Sequence, residues 1–346
     1  MEYTWLGRSD LKVSRICLGT MNFGQQNTQS EAVAQLEYAL DQGINFVDTA
    51  EMYPVPANVT TQGMTESFIG EGIKKLNKRH QIILATKVTG PSLHVSHISS
   101  ELGFSKSRMV DALEKSLKRL QTNYIDLYQL HWPERKTNCF GKLGYNHDQD
   151  DHWKDNINEI VQTLYDFKKE GKIRHWGISN ETPFGLMRFL EEEKKEEGFL
   201  LTCIQNPYNL VNRTFEIGLA EMCIRKNIGV LAYSPLAFGL LTGKYHLNQS
   251  TPSDRLNQFK QMARYNGNQT YIAVQKYLDI AIKFNISLSQ MSLSYLLTKP
   301  FIATVIIGAT NLDQLKENIG AVDISLSKEI QQEIDIVHHE VSNPAP

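Results

Sequence analysis

Short runs rich in Ile, Val, Leu, Phe and Tyr alternate along the chain with longer stretches in which apolar residues return every three or four positions. That alternation predicts β-strands, each followed by an amphipathic helix. The candidate strands are 16–18, 44–47, 82–85, 125–130, 173–178, 203–205, 229–233 and 304–307, eight in all. They read as nearly unbroken apolar runs, as a parallel sheet covered on both faces requires. The helices are equally well marked. Thr28-Gln29-Ser30-Glu31 has the spacing of a capping box, Val33, Leu36 and Leu40 share one face, and Gly43 closes the segment. Val110, Leu113, Leu117 and Leu120 line a second stripe; Ile157, Ile160, Val161, Leu164 and Phe167 line a third that ends at Gly171.

Eight such units close a barrel. The turn after the first strand also lacks the G-x-G-x-x-G spacing of an open dinucleotide-binding sheet, since only Gly19 and Gly24 lie there. The expected fold is therefore α/β, a (β/α)8 TIM barrel. Residues 3–6 and 11–14, split by Gly7-Arg8-Ser9-Asp10, predict an N-terminal β-hairpin capping the lower mouth. Four aperiodic stretches, 54–63, 88–104, 132–156 and 237–268, each follow a strand. They form long loops on the C-terminal rim, where barrel enzymes carry their active sites. No repeat or linker divides the chain, so 1–346 is read as one barrel domain.

Composition narrows the function. With 36 Lys and Arg against 38 Asp and Glu, the net charge of −2 provides no basic field for nucleic acid. No apolar run approaches the roughly 20 residues of a membrane span. Glu2, Arg8, Asp10, Lys12 and Arg15 are incompatible with a secretory signal, and the expected location is the cytoplasm. Cys17, Cys139, Cys203 and Cys223 stand far apart and are read as reduced packing residues. His94-x-x-His97 has no nearby acid, and His147, Asp148, Asp150, Asp151 and His152 are read as a solvated charged loop, so no metal site is expected.

The candidate chemistry lies at the strand ends. Asp48, Lys87 and His131 close the second, third and fourth strands, and Tyr53 follows five residues after Asp48. Each has a structural reading on its own, as a turn residue, a solvated cation or the partner of a carbonyl; their convergence on adjacent strands is the signal. A phenol has a pKa of about 10, and a neighbouring ammonium lowers it. Lys87 is placed to act so, Asp48 to hold Lys87 charged, and His131 to donate to a substrate oxygen. Such a set gives a proton to a carbonyl oxygen but supplies no hydride, which implies a nicotinamide cofactor. Ile307-Gly308-Ala309-Thr310, with Asn311 as helix N-cap, offers N–H groups for phosphate. Lys244 and Arg255 are suited to a further phosphate such as that on the ribose of NADPH. Tyr233-Ser234-Pro235-Leu236 offers an aromatic face, and Ser179, Asn180 and Gln205 offer groups for a carboxamide.

Together these segments resemble the aldo-keto reductases. The elements Leu18-Gly19-Thr20-Met21, Asp48-Thr49-Ala50-Glu51-Met52-Tyr53, Thr86-Lys87, Asp126-Leu127-Tyr128-Gln129-Leu130-His131, Gly177-Ile178-Ser179-Asn180, Gln205-Asn206-Pro207-Tyr208, Tyr233-Ser234-Pro235-Leu236 and Gly308-Ala309-Thr310 occur in that family's order. The bacterial Tas-like branch is the most similar, through Pro54-Val55-Pro56, Thr137-Asn138-Cys139-Phe140-Gly141-Lys142-Leu143-Gly144-Tyr145 and Pro344-Ala345-Pro346.

The resemblance implies NADPH-dependent reduction of aldehydes and ketones, with NADPH/NADP+ as cofactor and a small carbonyl compound as substrate. Asp48, Tyr53, Lys87 and His131 match the family's catalytic four, with the tyrosine as general acid. The matching cofactor positions are Thr20 and Met21; Ser179, Asn180 and Gln205 at the carboxamide; Tyr233 on the nicotinamide; Ser234, Leu236, Gly239 and Lys244 along the pyrophosphate; Arg255 at the 2′-phosphate; and Gly308, Thr310, Gln314, Glu317 and Asn318 around the adenosine. Pro54 departs from the common Tyr-Gly pair. Phe104, Trp132, Phe140, Tyr145 and Trp153 are expected to wall the substrate site, and the protein is expected to act as a monomer or homo-oligomer. One alternative is a cofactor-binding regulatory subunit of a membrane channel; His131, where such subunits typically have asparagine, favours the reductase. Another is a metal-dependent barrel hydrolase using Asp48, Glu51 and His131, with His94 and His97 as further candidate ligands.

Overall fold

The computed structural model describes residues 1–147, 151–193, 198–259 and 263–346; Asp148 and Asp150 of the charged loop lie outside them. An antiparallel hairpin of β1 (Tyr3–Trp5) and β2 (Lys12–Ser14) opens the chain. Eight parallel strands follow: β3 (Ile16–Gly19), β4 (Phe46–Asp48), β5 (Ile83–Val88), β6 (Ile125–Leu130), β7 (Ile173–Ser179), β8 (Leu201–Pro207), β9 (Gly229–Tyr233) and β10 (Ile302–Ile307). β10 pairs back onto β3, Ile307 opposite Leu18, and closes the (β/α)8 barrel.

The helices α1 (Gln29–Asp41), α2 (Met64–Leu76), α3 (Lys106–Leu120), α4 (Ile157–Lys169), α5 (Pro183–Glu193) and α6 (Leu219–Lys226) each follow one of the strands β3 to β8. After β9 come α7 (Arg255–Gln258), α8 (Asn268–Lys283) and α9 (Leu288–Leu297), and after β10 come α10 (Leu312–Ile319) and α11 (Lys328–Glu340). Helix α9 packs on β10, while α11 packs on α8. No helix among the described residues is long and apolar enough to cross a membrane.

Local chemistry sets the element ends. The capping box at α1 is present in both directions: Thr28 accepts the Glu31 N–H, and Glu31 accepts the Thr28 N–H at 2.8 Å. The expected strand at 44–47 starts only at Phe46, preceded by the bridging side chain of Asn45. It accepts from Ser14 N and donates to Lys12 O, both at 2.8 Å, tying the hairpin to the barrel. On α3 the buried stripe runs through Met109, Ala112, Leu113, Leu117 and Leu120, which leaves Val110 facing solvent.

Side chains pointing into the barrel alternate along each strand. Cys17, Phe46, Ala85, Leu127, Cys203, Leu231 and Ile306 form an apolar layer, sealed below by Leu6, Leu11 and Val13 of the hairpin. The hairpin reaches this position because Gly7 has φ +54° and no side chain; a Cβ there would meet the Thr202 carbonyl oxygen at 2.3 Å. Two residues further along four of those strands, the same inward direction is taken by Asp48, Lys87, Gln129 and Gln205. The long loops after β4, β5, β6 and β9 all leave from this upper end.

Candidate active site

The upper layer is built around a buried ion pair. Lys87 is fully buried, and its Nζ donates to Asp48 Oδ2 at 2.6 Å and to the Thr49 carbonyl at 2.8 Å. Removing two charges from water costs several kcal/mol for each ion, so such a pair persists only when its remaining valences are satisfied. Asp48 Oδ1 meets that condition by accepting from Gln205 Nε2 at 2.9 Å and Gln129 Nε2 at 3.1 Å. Burial pulls the Lys87 ammonium down, but Asp48 and Tyr53 outweigh it, and its pKa stands above the ordinary 10.5.

Tyr53 is carried back over this pair by a tight turn. Its N–H donates to the Ala50 carbonyl at 3.1 Å and its own carbonyl accepts from Gly63 N at 2.9 Å. The Tyr53–Pro54 and Val55–Pro56 peptide bonds are cis. The phenol ring lies 5.0 Å from Lys87 Nζ and 5.7 Å from the His131 ring, edge-on. Burial raises the Tyr53 pKa above its usual 10, with Lys87 the chief opposing influence. This corrects the expectation of a net lowering: desolvation outweighs the ammonium, and the phenol keeps its proton at neutral pH. Burial, and then Lys87, hold His131 well below 6.5, so its imidazole is neutral. Its Nδ1 has no hydrogen-bond partner among the described residues.

Asp48, Tyr53 and His131 open onto one cavity of about 770 Å³, and Lys87 lies directly beneath. Thr20, Met21, Ser179, Asn180, Gln205, Tyr233, Ser234, Leu236, Gly239, Lys244, Arg255, Gly308, Thr310, Gln314, Glu317 and Asn318 all line the same cavity. Their local partners refine the expectations. The Asn180 amide is committed, accepting from the Tyr233 hydroxyl and donating to the His131 carbonyl at 2.8 Å. Lys244 is paired with Asp254. Arg255 donates to Asn22 Oδ1 and lies over the Phe238 and Phe259 rings at 5.0 and 5.7 Å, with its Nε unpartnered among the described residues. Burial lowers its pKa to about 10, which leaves it charged. At α10, Asn311 accepts the Gln314 N–H and Gln314 accepts the Thr310 N–H, so two of the amides expected to meet phosphate are bonded within the chain.

A family model, the Aldo/keto reductase family, matches residues 15–339 of this architecture. The chain belongs to the aldo/keto reductase family. It is 45% identical over 353 aligned residues to Protein tas of Escherichia coli (strain K12), covering the whole of both chains. To the uncharacterized oxidoreductase YrpG of Bacillus subtilis it is 35% identical over 333 residues, 95% of this chain and 94% of the relative. To an aldo-keto reductase of Babesia bovis it is 37% identical over 279 residues, 76% of this chain and 98% of the relative. Family membership makes the protein an oxidoreductase, and aldo-keto reductases generally use NAD(P)H.

Some residues of this aldo/keto reductase depart from the sequence reading. Trp132 and Phe140 line the mouth of the cavity, 6.2 Å apart between ring centroids. Phe104 and Trp153 instead border a separate small cavity of about 20 Å³, and Tyr145 is exposed. Glu51 is turned away from the cavity, accepting from Arg108 and from Thr89 N at 2.7 Å, which removes it from any metal set with Asp48 and His131. Conversely, Asn22, Gln26, Gln249, Ser253, Asp254 and Arg264 line the cavity without having been anticipated. All lie in aperiodic loops, where no spacing rule fixes which way a side chain points.

Proposed function

We propose that this aldo/keto reductase reduces aldehydes and ketones to alcohols with NADPH, using Tyr53 as general acid. The observation that carries this reading is a buried, protonated phenol held over a charged Lys87–Asp48 pair, beside a neutral imidazole, at one end of a long cavity. The volume of about 770 Å³ falls within the roughly 300–1,000 Å³ of small-molecule and cofactor sites. The donor set also fits a dinucleotide. Ser179, Gln205 and the Tyr233 ring are suited to the nicotinamide end, and Ser234, Leu236 and Gly239 to the pyrophosphate. Gly308, Gln314, Glu317 and Asn318 are suited to the adenosine. Arg255, a buried guanidinium with an unpartnered Nε, suits the 2′-phosphate.

When bound, the cofactor would supply the hydride that the carbonyl carbon takes up. Tyr53 gives its proton to the oxygen as charge develops there, and Lys87 favours the phenolate left behind. The neutral His131 orients the same oxygen by a hydrogen bond, while Trp132 and Phe140 present an apolar wall to the substrate. Free and largely buried cysteines agree with a cytoplasmic setting, and residues 1–346 are taken to act as one catalytic domain. The test is consumption of NADPH and of NADH by the purified protein against a panel of aldehydes and ketones. Carbonyl-dependent oxidation of NADPH, with NADH poorer, is the expected result. An enzyme that consumes neither, or that prefers NADH, contradicts the proposal.

A further inference from the structure

Only one oxygen of Asp48 faces Lys87. The other accepts from two side-chain amides, Gln205 at 2.9 Å and Gln129 at 3.1 Å. An ionised carboxylate cannot donate, so both amide nitrogens must face it, and that settles how each glutamine is turned. Gln205 directs Nε2 also to Gln129 Oε1, at 3.3 Å, closing a ring of hydrogen bonds among three buried residues. Gln129 sits opposite Lys87 in the β5–β6 register and opposite Gly177 on β7. A Cβ at Gly177 would press on Cys203 Sγ at 2.5 Å but stand in ordinary contact, 3.5 Å, with Gln129 Cγ. Gln129 is absent from the cavity lining, so it meets neither substrate nor cofactor there.

We propose that Gln129 is a positioning residue for the proton donor, acting through Asp48: it holds that carboxylate aimed at Lys87 and fixes Gln205 beside it. The inference rests on the reading of Tyr53 as the acid. A donor to a carboxylate stabilises its charged form. Without Gln129, Oδ1 retains a single donor, and the carboxylate turns more of its charge on the Lys87 ammonium. Less positive charge then remains to favour the Tyr53 phenolate, and the phenol becomes a weaker acid. Gln205, freed from Gln129 Oε1, also loses one of the two contacts that orient it.

The experiment is Gln129→Met, similar in length but with no donor, assayed for NADPH-dependent reduction of a neutral aldehyde across pH. The expected result is a fall in kcat of about tenfold, the scale of one lost hydrogen bond to a charged group. KM should stay near its original value, and the alkaline limb of the kcat profile should move to higher pH. In an Asp48→Asn background the same substitution should no longer shift the limb. If Gln129→Met does not fold, Gln129→Asn, which keeps an amide but withdraws it by one carbon, carries the same expectation. Superimposable pH profiles in an active enzyme overturn this inference alone, as does an equal shift in the Asp48→Asn background. A wild-type protein without carbonyl-dependent NADPH turnover overturns it together with the proposed function.

Discussion

The two ends of the barrel are made by the same eight strands and have opposite chemistry. At the lower end, Phe46, Ala85, Leu127 and Cys203 point inward and are sealed by Leu6, Leu11 and Val13 of the hairpin. Two residues along the same strands, Asp48, Lys87, Gln129 and Gln205 occupy the equivalent positions. Both layers are buried, but one is held by packing and the other by paired charge and hydrogen bonds. A strand period of two is enough to move from a packing device to a reactive one. Changes in the lower layer should therefore cost stability alone, whereas changes in the upper layer should cost activity as well.

Lys87→Met tests the difference most severely. It strands Asp48 without its cation, which should cost about 3–5 kcal/mol of stability. It also removes the charge that favours the phenolate, so carbonyl reduction should fall by about 10²-fold or more. Denaturant unfolding and steady-state kinetics on one preparation measure both effects. In the lower layer, Leu127→Ala should cost about 2–5 kcal/mol by creating a cavity, while kcat for the folded fraction stays within about twofold. A large loss of kcat in that variant would mean that the layers are not separable.

Smaller effects are expected along the cavity. Arg255→Met should weaken NADPH binding by roughly 10- to 100-fold, the scale of a charge-assisted hydrogen bond, with little change for NADH. Lys244→Ala should discriminate less between the two cofactors, because Lys244 is already neutralised by Asp254. Fluorescence titration of each variant with both cofactors measures the ratio. The pH dependence should be the mildest effect. Burial keeps Tyr53 protonated beyond its ordinary 10 and His131 neutral well below 6.5. Reduction consumes the phenolic proton, so kcat should be level through neutrality, with no inflection near 6.5, and should fall only as rising pH ionises Tyr53.

Much of the barrel was legible because strands buried on both faces leave continuous apolar runs; 125–130 and 229–233 coincide with β6 and β9. The strand ends were less legible. The apolar run at 82–85 breaks at Thr86 and Lys87, yet β5 continues to Val88, and β8 extends through Asn206 and Pro207. In β5 the inward Lys87 and the outward Thr86, bonded to Glu66, interrupt the pattern, and in β8 the outward Asn206, bonded to the Glu181 carbonyl, does so. The candidate site was legible where its residues lie at or within one residue of strand ends, as Asp48, Lys87 and His131 do. Asp254 and Arg264 were not, because the path of a long loop decides where they point. The net pKa of Tyr53 was beyond reach for a related reason: the ammonium is written in the sequence, whereas the degree of burial emerges only from packing.

The most direct measurement is the rate of NADPH oxidation in a single turnover, with one aldehyde, for the wild type and for Tyr53→Phe. With Tyr53 as the proton donor, the variant should bind NADPH with nearly unchanged affinity and react about 10² to 10⁴ times more slowly. Equal rates in the two proteins would show that the proton comes from elsewhere, and the upper layer would need another role.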